Sequence, residues 1–205
     1  MTSIRSGSPT EISASSGEWL ILDIGFANKA RSCGLMVNDE HPTELRFNEA
    51  VEWICRFILE SPGPVNLVIE APLSVAFDQT GNPAGRSIEK QGGRTRYWYV
   101  GLGCSVMVAA LYLAKAVAAI RAESEVRLFE GFVSFKARDA KSDHSRDVEL
   151  LREVIRDPGD FPGGIVAPQD LRMTDSDRLE SAFAVAGIDT GVPPVILRDG
   201  QDDSG

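Results

Sequence analysis

The chain of 205 residues contains only three cysteines and two histidines. Cys33, Cys55 and Cys104 lie far apart, and none belongs to a CxxC pair. This spacing argues against a disulfide framework and a cysteine-rich zinc site, and it indicates buried thiols in a reducing, cytoplasmic compartment. His41 falls in a predicted turn and His144 in a polar helix, so both histidines are predicted to be surface residues.

Long apolar runs are also missing. The most apolar stretch, residues 100–120, is interrupted by glycine, serine, tyrosine and lysine, so no membrane span is predicted. Residues 1–17 are rich in serine and threonine but lack the apolar segment of a signal peptide, and they are predicted to be a flexible leader. A domain over residues 18–190 and a polar tail over residues 191–205 complete the predicted organisation.

Basic residues are fewer than acidic ones, 21 against 30, which gives a net charge of −9. Such a balance argues against a protein that coats nucleic acid or an anionic membrane through bulk electrostatics. With 43% hydrophobic and 25% charged residues, the composition is that of one globular domain that can bury a sizeable core.

The hydrophobic pattern predicts alternating strands and helices. The predicted strands are the run WLILDIG from residue 19, residues 31–38, 43–47 and 65–70, and the run VRLFE at 126–130. The predicted helices cover residues 49–60, about 99–122, about 142–156 and 177–187, with a long functional loop over residues 71–96. This order predicts an α/β fold whose mixed central sheet begins with a three-stranded antiparallel meander and continues with parallel strands and crossover helices.

Four carboxylates occupy positions in this pattern that favour a shared site. Asp23 ends the first strand, and Glu70 ends the apolar run VNLVIE. Asp177 and Glu180 are three residues apart on the predicted last helix and therefore share one face. If that helix packs across the ends of the two strands, the carboxylates converge and favour Mg²⁺ or Mn²⁺. Two such ions can activate water for phosphodiester cleavage.

Each carboxylate also has a purely structural explanation. The acid and glycine after the first strand are common turn residues. Asp177 and Glu180 could mark a helix start, where acidic side chains interact favourably with the positive end of the helix dipole and Glu180 completes a capping box. The combination of the four acids in this order, rather than any one of them, favours a site.

The motifs LDIG, VIEAP and DRLESAFAVAG resemble those of the ribonuclease H-like superfamily, over about residues 19–187. The last of them is similar to the closing helix motif of RuvC-type Holliday-junction resolvases. The run FEGFVSF at 129–135 is similar to a strand of the predicted RNase H-like nuclease family. The resemblance implies a three-layer α/β/α fold in which Asp23, Glu70, Asp177 and Glu180 bind metal, with Glu130 as a supporting ligand or orienting group. Glu180 stands where the pattern usually has a second aspartate.

A basic and aromatic segment follows the second of these motifs. Residues 86–96 carry a local charge of +3, from four basic residues and Glu89, and aromatic residues follow directly. Guanidinium groups can hold phosphates while aromatic faces stack on bases, which predicts a flexible clamp for a nucleic-acid strand. The predicted substrate-binding residues are Arg86, Lys90, Arg94, Arg96, Tyr97 and Trp98. The alternative is a solvated basic loop whose aromatic residues anchor the next helix.

The sequence therefore predicts a metal-dependent nuclease with a two-metal carboxylate site and a nucleic-acid substrate, and with no membrane association. Because the surface is acidic, a homodimer or a delivering protein partner is expected to help hold the substrate. Two alternatives remain open: a non-catalytic binding module with the same fold, and an ATP-binding protein related to the actin and sugar-kinase fold.

Overall fold

The computed structural model describes residues 2–25, 30–91, 94–95, 102–134 and 143–199. The strands are β1 (Ser3–Ser6), β2 (Glu18–Ile24), β3 (Cys33–Val37), β4 (Thr43–Leu45), β5 (Val65–Glu70), β6 (Ser74–Phe77), β7 (Pro83–Ala84), β8 (Lys90–Gln91), β9 (Arg94–Thr95), β10 (Glu125–Ser134), β11 (Ile165–Val166), β12 (Arg178–Ser181) and β13 (Val195–Asp199). The helices are α1 (Phe47–Glu60), α2 (Leu102–Ala119), α3 (His144–Arg156) and α4 (Ala182–Val185).

The central sheet is mixed, as the sequence predicts. Its order is β11-β13-β10-β5-β2-β3-β4, and β1 pairs with the first part of β10. The pairs β2–β3 and β3–β4 are antiparallel, whereas β2–β5, β5–β10 and β10–β13 are parallel. The fold is therefore α/β, with the meander and the parallel strands that the pattern predicts.

Both faces of the sheet are buried, because side chains of successive strand residues alternate between two hydrophobic clusters. Leu20 and Leu22 of β2 pack in one cluster with residues of α1 and α2. Trp19 and Ile21 point to the other face and pack in a second cluster with residues of α3. Each strand therefore has an α1/α2 face and an α3 face, and this alternation decides which polar residues share a site.

The segment predicted as the last helix has a different structure. Residues 178–181 form β12, which pairs antiparallel with β6 in a small second sheet, and only residues 182–185 are helical. The backbone N–H of Ala182 donates to the carbonyl of Leu73, at 2.9 Å, as the chain leaves β12. Pairing with β6 satisfies the backbone at Arg178–Ser181, so tertiary context overrides the local helical pattern.

The predicted loop over residues 71–96 also contains regular structure. It holds β6 and β7 of the small sheet, a one-turn helix at Ser87–Glu89, and the paired strands β8 and β9. Each of these elements is only two to four residues long, so none is long enough to show a periodic pattern in the sequence.

Both predicted terminal segments contain strands. Ser3–Ser6 pair with β10 as β1, and Val195–Asp199 pair with it as β13, so the predictions of a flexible leader and a polar tail are wrong for these residues. Arg5 fixes the leader through ion pairs of 2.5 Å with Glu11 and 2.7 Å with Glu125.

Two further sequence predictions concern solvent exposure. Across the described ranges, no helix combines the length and the apolar character that crossing a membrane requires. The prediction of three buried thiols is correct for Cys33, but Cys55 is half-buried and Cys104 is exposed.

Candidate metal centre

Asp23 and Glu70 lie side by side at the ends of neighbouring parallel strands. The register of β2 and β5 pairs the two residues directly, at the usual strand separation of about 4.8 Å. Both side chains belong to the α3 face, since Ile21 and Val68, two positions earlier, pack in the α3 cluster. Both residues are also buried. The structure therefore brings together two of the predicted carboxylates.

Helix α3 covers this end of the sheet and adds two ligand-type side chains. His144 is its first residue, and Asp147 lies one turn later on the same face. Asp143 is the N-cap of the helix, and its carboxylate accepts a hydrogen bond from the backbone N–H of Arg146 at 3.0 Å. Val148 and Leu151 anchor the helix in the α3 cluster. This packing turns the first turn of α3 toward Asp23.

Asp23, His144 and Asp147 form one compact group. One ligand atom from each residue lies within 4.8 Å of the others. Nδ1 of His144 is 2.5 Å from Oδ2 of Asp23. Asp23 is 4% exposed and Asp147 is 3% exposed, so the group lies largely out of water. Buried carboxylates that converge in this way are stabilised by a cation.

Two glycines allow the helix to approach the sheet so closely. A Cβ atom on Gly34, which pairs with Asp23 across β2 and β3, would overlap the backbone carbonyl of His144. A Cβ atom on Gly25 would overlap the imidazole Nε2 of His144 and the carbonyl of Ser32. Because neither glycine has a side chain, His144 can lie directly against the backbone of β3 and of the segment after β2.

Cys33 packs in the α1/α2 cluster, on the other face of the sheet from this group. Burial, together with the negative charge of Asp23, raises the pKa of its thiol to about 11. The ligand-type atoms of the group are carboxylate oxygens and imidazole nitrogens.

Glu130 lies on the opposite face of the sheet, so the resemblance-based assignment of Glu130 as a supporting ligand is not supported by its position. Val126 and Leu128, at alternate positions before it on β10, pack in the α1/α2 cluster. Its Oε2 accepts hydrogen bonds of 2.8 Å from the backbone N–H of Leu73 and from Arg86. Through the bond to Leu73, Glu130 fixes the position of the segment that follows Glu70 at the end of β5.

Arg86 is fully buried beside Glu130 and does not belong to an open clamp. Its guanidinium donates to Glu130 and to Oγ of Ser74 at 2.8 and 2.9 Å, and it pairs with Glu89 at 3.3 Å. Burial raises the pKa of Glu89, although the charge of Arg86 opposes this effect. The clamp prediction fails at Arg86 because two buried carboxylates hold its side chain inside the protein.

Asp177 and Glu180 do not join the group around Asp23. Asp177 precedes β12 and accepts hydrogen bonds from the backbone N–H groups of Met173 and Thr174, both at 3.0 Å. The hydroxyl of Thr174 lowers the pKa of Asp177 through a further hydrogen bond. Glu180 is exposed and pairs with Arg178 at 2.8 Å. Since these residues open a strand rather than a helix, they do not share the helix face that the sequence predicts.

The remaining predicted clamp residues lie mostly outside the described part of the structure. Lys90 is exposed at the start of β8. Arg94 is described only as part of β9, without its side chain, and Arg96, Tyr97 and Trp98 lie outside the described residues.

Sequence reasoning missed His144 and Asp147. The sequence pattern predicts that His144 is a surface residue, but its side chain is only 15% exposed and contacts Asp23. The signal is present in the sequence: both residues lie on the helix stripe that continues through Val148 and Leu151 into the core. Because buried polar groups form hydrogen bonds, polar side chains on a core-facing stripe indicate a polar partner on the element against which the helix packs.

Comparisons with protein-family models, curated proteins and solved structures give no significant match for this chain.

Proposed function

We propose that the protein is a metal-dependent phosphodiesterase acting on nucleic acid, with an RNase H-like arrangement of its sheet and site. The observation that carries this proposal is the convergence of Asp23, His144 and Asp147 within 4.8 Å, beside Glu70 on the neighbouring strand. The site lies at the carboxyl end of adjacent parallel strands, where α/β sheets commonly bind their ligands.

The residues present fit a divalent cation. Two buried aspartates supply negative charge, and His144 offers a neutral nitrogen ligand. Imidazole favours transition ions more than it favours Mg²⁺, which prefers oxygen ligands. We therefore expect Mn²⁺ to bind more tightly than Mg²⁺. Asp23, His144 and Asp147 would hold one ion, and Glu70 with Asp23 would hold a second.

The bound ions would supply Lewis-acid stabilisation of the phosphodiester and a water of lowered pKa. The protein's own contribution is to position the ligands. Oδ2 of Asp23 lies next to Nδ1 of His144, so binding of an ion by both side chains would release the proton that lies between them. Gly25 leaves space for the other ring nitrogen, Nε2. Burial of the carboxylates keeps water from competing for them.

The test is incubation of the protein with Mn²⁺ and a panel of single-stranded, duplex and junction substrates of DNA and RNA. We expect cleavage of at least one substrate, and we expect Asp23→Asn/Asp147→Asn to abolish it while Glu180→Gln retains it. Cleavage that survives the double substitution would show that the assigned site is wrong. Metal binding without cleavage of any substrate would favour the non-catalytic binding module.

A further inference from the structure

A pocket opens on the other side of the sheet from the metal centre. It has a volume of about 360 Å³ and lies between the edge strand β4 and helix α1. Its lining residues are Arg31, Leu45, Glu49, Glu52, Trp53 and Arg56. We call it the Trp53 pocket.

The pocket lies at the same end of the sheet as the metal centre. Leu45 pairs with Cys33 of β3, and Cys33 pairs with Ile24, the residue after Asp23. Two strand separations, about 10 Å, therefore lie between Leu45 and the end of β2. Arg31 borders Ser32, whose carbonyl accepts from the backbone N–H of Gly25 at 2.8 Å. A ligand that crosses this end of the sheet passes from the metal centre to the pocket.

The aromatic side chain of the pocket is arranged for stacking. Trp53 and Phe57 lie one turn apart on α1, with ring centroids 5.3 Å apart and planes inclined by 16°. This stack holds the indole in a fixed orientation at the pocket wall. A flat ring that enters the pocket can extend the stack, as bases do on aromatic side chains in single-stranded nucleic-acid sites.

The charges of the pocket favour an anion beside that ring. Within the described part of the chain, the side chains of Arg31 and Arg56 make no ion pair or hydrogen bond. Glu49 is occupied by Arg46, whose backbone N–H donates to it at 2.9 Å and whose guanidinium lies 3.9 Å away. Glu52 alone opposes the two arginines. With Arg46 counted, three arginines face two glutamates around the pocket, a local charge of +1 on an acidic protein, which favours an anion such as a phosphate.

We infer that the Trp53 pocket binds one nucleotide of a single-stranded segment adjoining the scissile phosphodiester, with its base against Trp53 and a phosphate between Arg31 and Arg56. This inference rests on the proposed function, because it assigns a substrate subsite to the same enzyme.

The test measures binding of a fluorescent single-stranded oligonucleotide in EDTA, so that binding is separated from cleavage. We expect Trp53→Ala to weaken binding about tenfold, and Trp53→Phe to retain most of it. Because Trp53 packs on the core, Arg31→Ala/Arg56→Ala provides a surface variant that should weaken binding similarly and reduce its salt dependence. Arg121→Ala, an exposed arginine before β10, is the matched control and should bind like wild type.

A mononucleotide competitor distinguishes a free nucleotide from a strand as the ligand. Weak competition by the mononucleotide supports a strand, whereas full competition at similar concentration overturns that part of the inference. Unchanged binding in both pocket variants, while wild type cleaves with Mn²⁺, would refute the subsite and leave the nuclease proposal standing. Weakened binding in both pocket variants, without cleavage of any substrate by wild type, would refute the nuclease proposal and retain the Trp53 pocket only as a binding site for one nucleotide of a strand.

Discussion

Nδ1 of His144 lies 2.5 Å from Oδ2 of Asp23, although the two residues are 121 positions apart in the chain. The contact joins the first turn of α3 to the end of β2. It brings a nitrogen ligand into a group that otherwise offers only carboxylate oxygens. The ion preference of the site should therefore depend on this one side chain.

Replacing His144 is expected to change which ion the site prefers. In His144→Asp the nitrogen ligand becomes an oxygen ligand, so we expect the preference for Mn²⁺ over Mg²⁺ to fall about tenfold. His144→Ala should weaken both ions. The measurement is a pair of calorimetric titrations, with Mn²⁺ and with Mg²⁺, on each variant. An unchanged ratio in His144→Asp would mean that the imidazole does not contact the ion.

Gly34→Ala is expected to disrupt the site without changing any ligand. The added methyl group would overlap the backbone carbonyl of His144, so α3 must move away from β3. We expect a loss of about 1–3 kcal/mol in stability and a clear loss of Mn²⁺ affinity. Gly63→Ala is the matched control, because its Cβ would meet no atom within 4 Å. Equal Mn²⁺ affinity in the two variants would contradict the account of the close approach.

Arg86→Met is expected to be among the most destabilising substitutions in the chain. It leaves the buried carboxylates of Glu130 and Glu89 without their cation, at a cost of about 3–5 kcal/mol. Arg86→Met/Glu130→Gln should recover part of the lost stability, because one of the two buried carboxylates without a cation becomes a neutral amide. Urea unfolding measures both effects, with Arg46→Met as the exposed control. A loss under 1 kcal/mol in Arg86→Met would show that Arg86 is not buried in this network.

The N-terminal strand should be held by a pH-dependent ion pair. Hydrogen bonds from Arg5 lower the pKa of Glu11 from 4.5 to about 2. Glu11 therefore stabilises the folded state fully above its unfolded pKa, and this stabilisation is lost as the pH falls from about 4.5 toward 2. Because Arg5 is 40% exposed, solvent screening reduces the expected cost of Glu11→Gln at pH 7 to about 1 kcal/mol. The free energies of unfolding of wild type and Glu11→Gln should therefore converge as the pH falls. A difference between them that stays constant down to pH 2 would contradict the ion pair.

The sheet could be predicted from the sequence because its central strands are continuous apolar runs. WLILDI and VNLVIE are buried on both faces, so hydrophobicity alone identifies them, and their polar ends identify Asp23 and Glu70. The extent of helix α3 could also be predicted, since its apolar stripe repeats at the helical period.

The other half of the site could not be predicted in the same way. DRLESAFAVAG has good local helical propensity, but pairing of Arg178–Ser181 with β6 depends on a strand about 100 residues earlier. The contact of His144 with Asp23 likewise depends on the packing of α3 across β2 and β3. Arg86 belongs to a basic segment in the sequence, yet burial beside Glu130 reverses its expected role. In each case a long-range contact decides what the local pattern leaves open.

The most direct test of the proposed metal centre is calorimetric titration of Mn²⁺ into wild type, Asp23→Asn, Asp147→Asn and Glu180→Gln. Our account predicts that wild type and Glu180→Gln bind Mn²⁺ alike, because Glu180 is exposed and paired with Arg178. It predicts at least a tenfold loss, about 1.4 kcal/mol, in Asp23→Asn and in Asp147→Asn. Full affinity in Asp147→Asn, or a loss confined to Glu180→Gln, would contradict the site built from Asp23, His144 and Asp147.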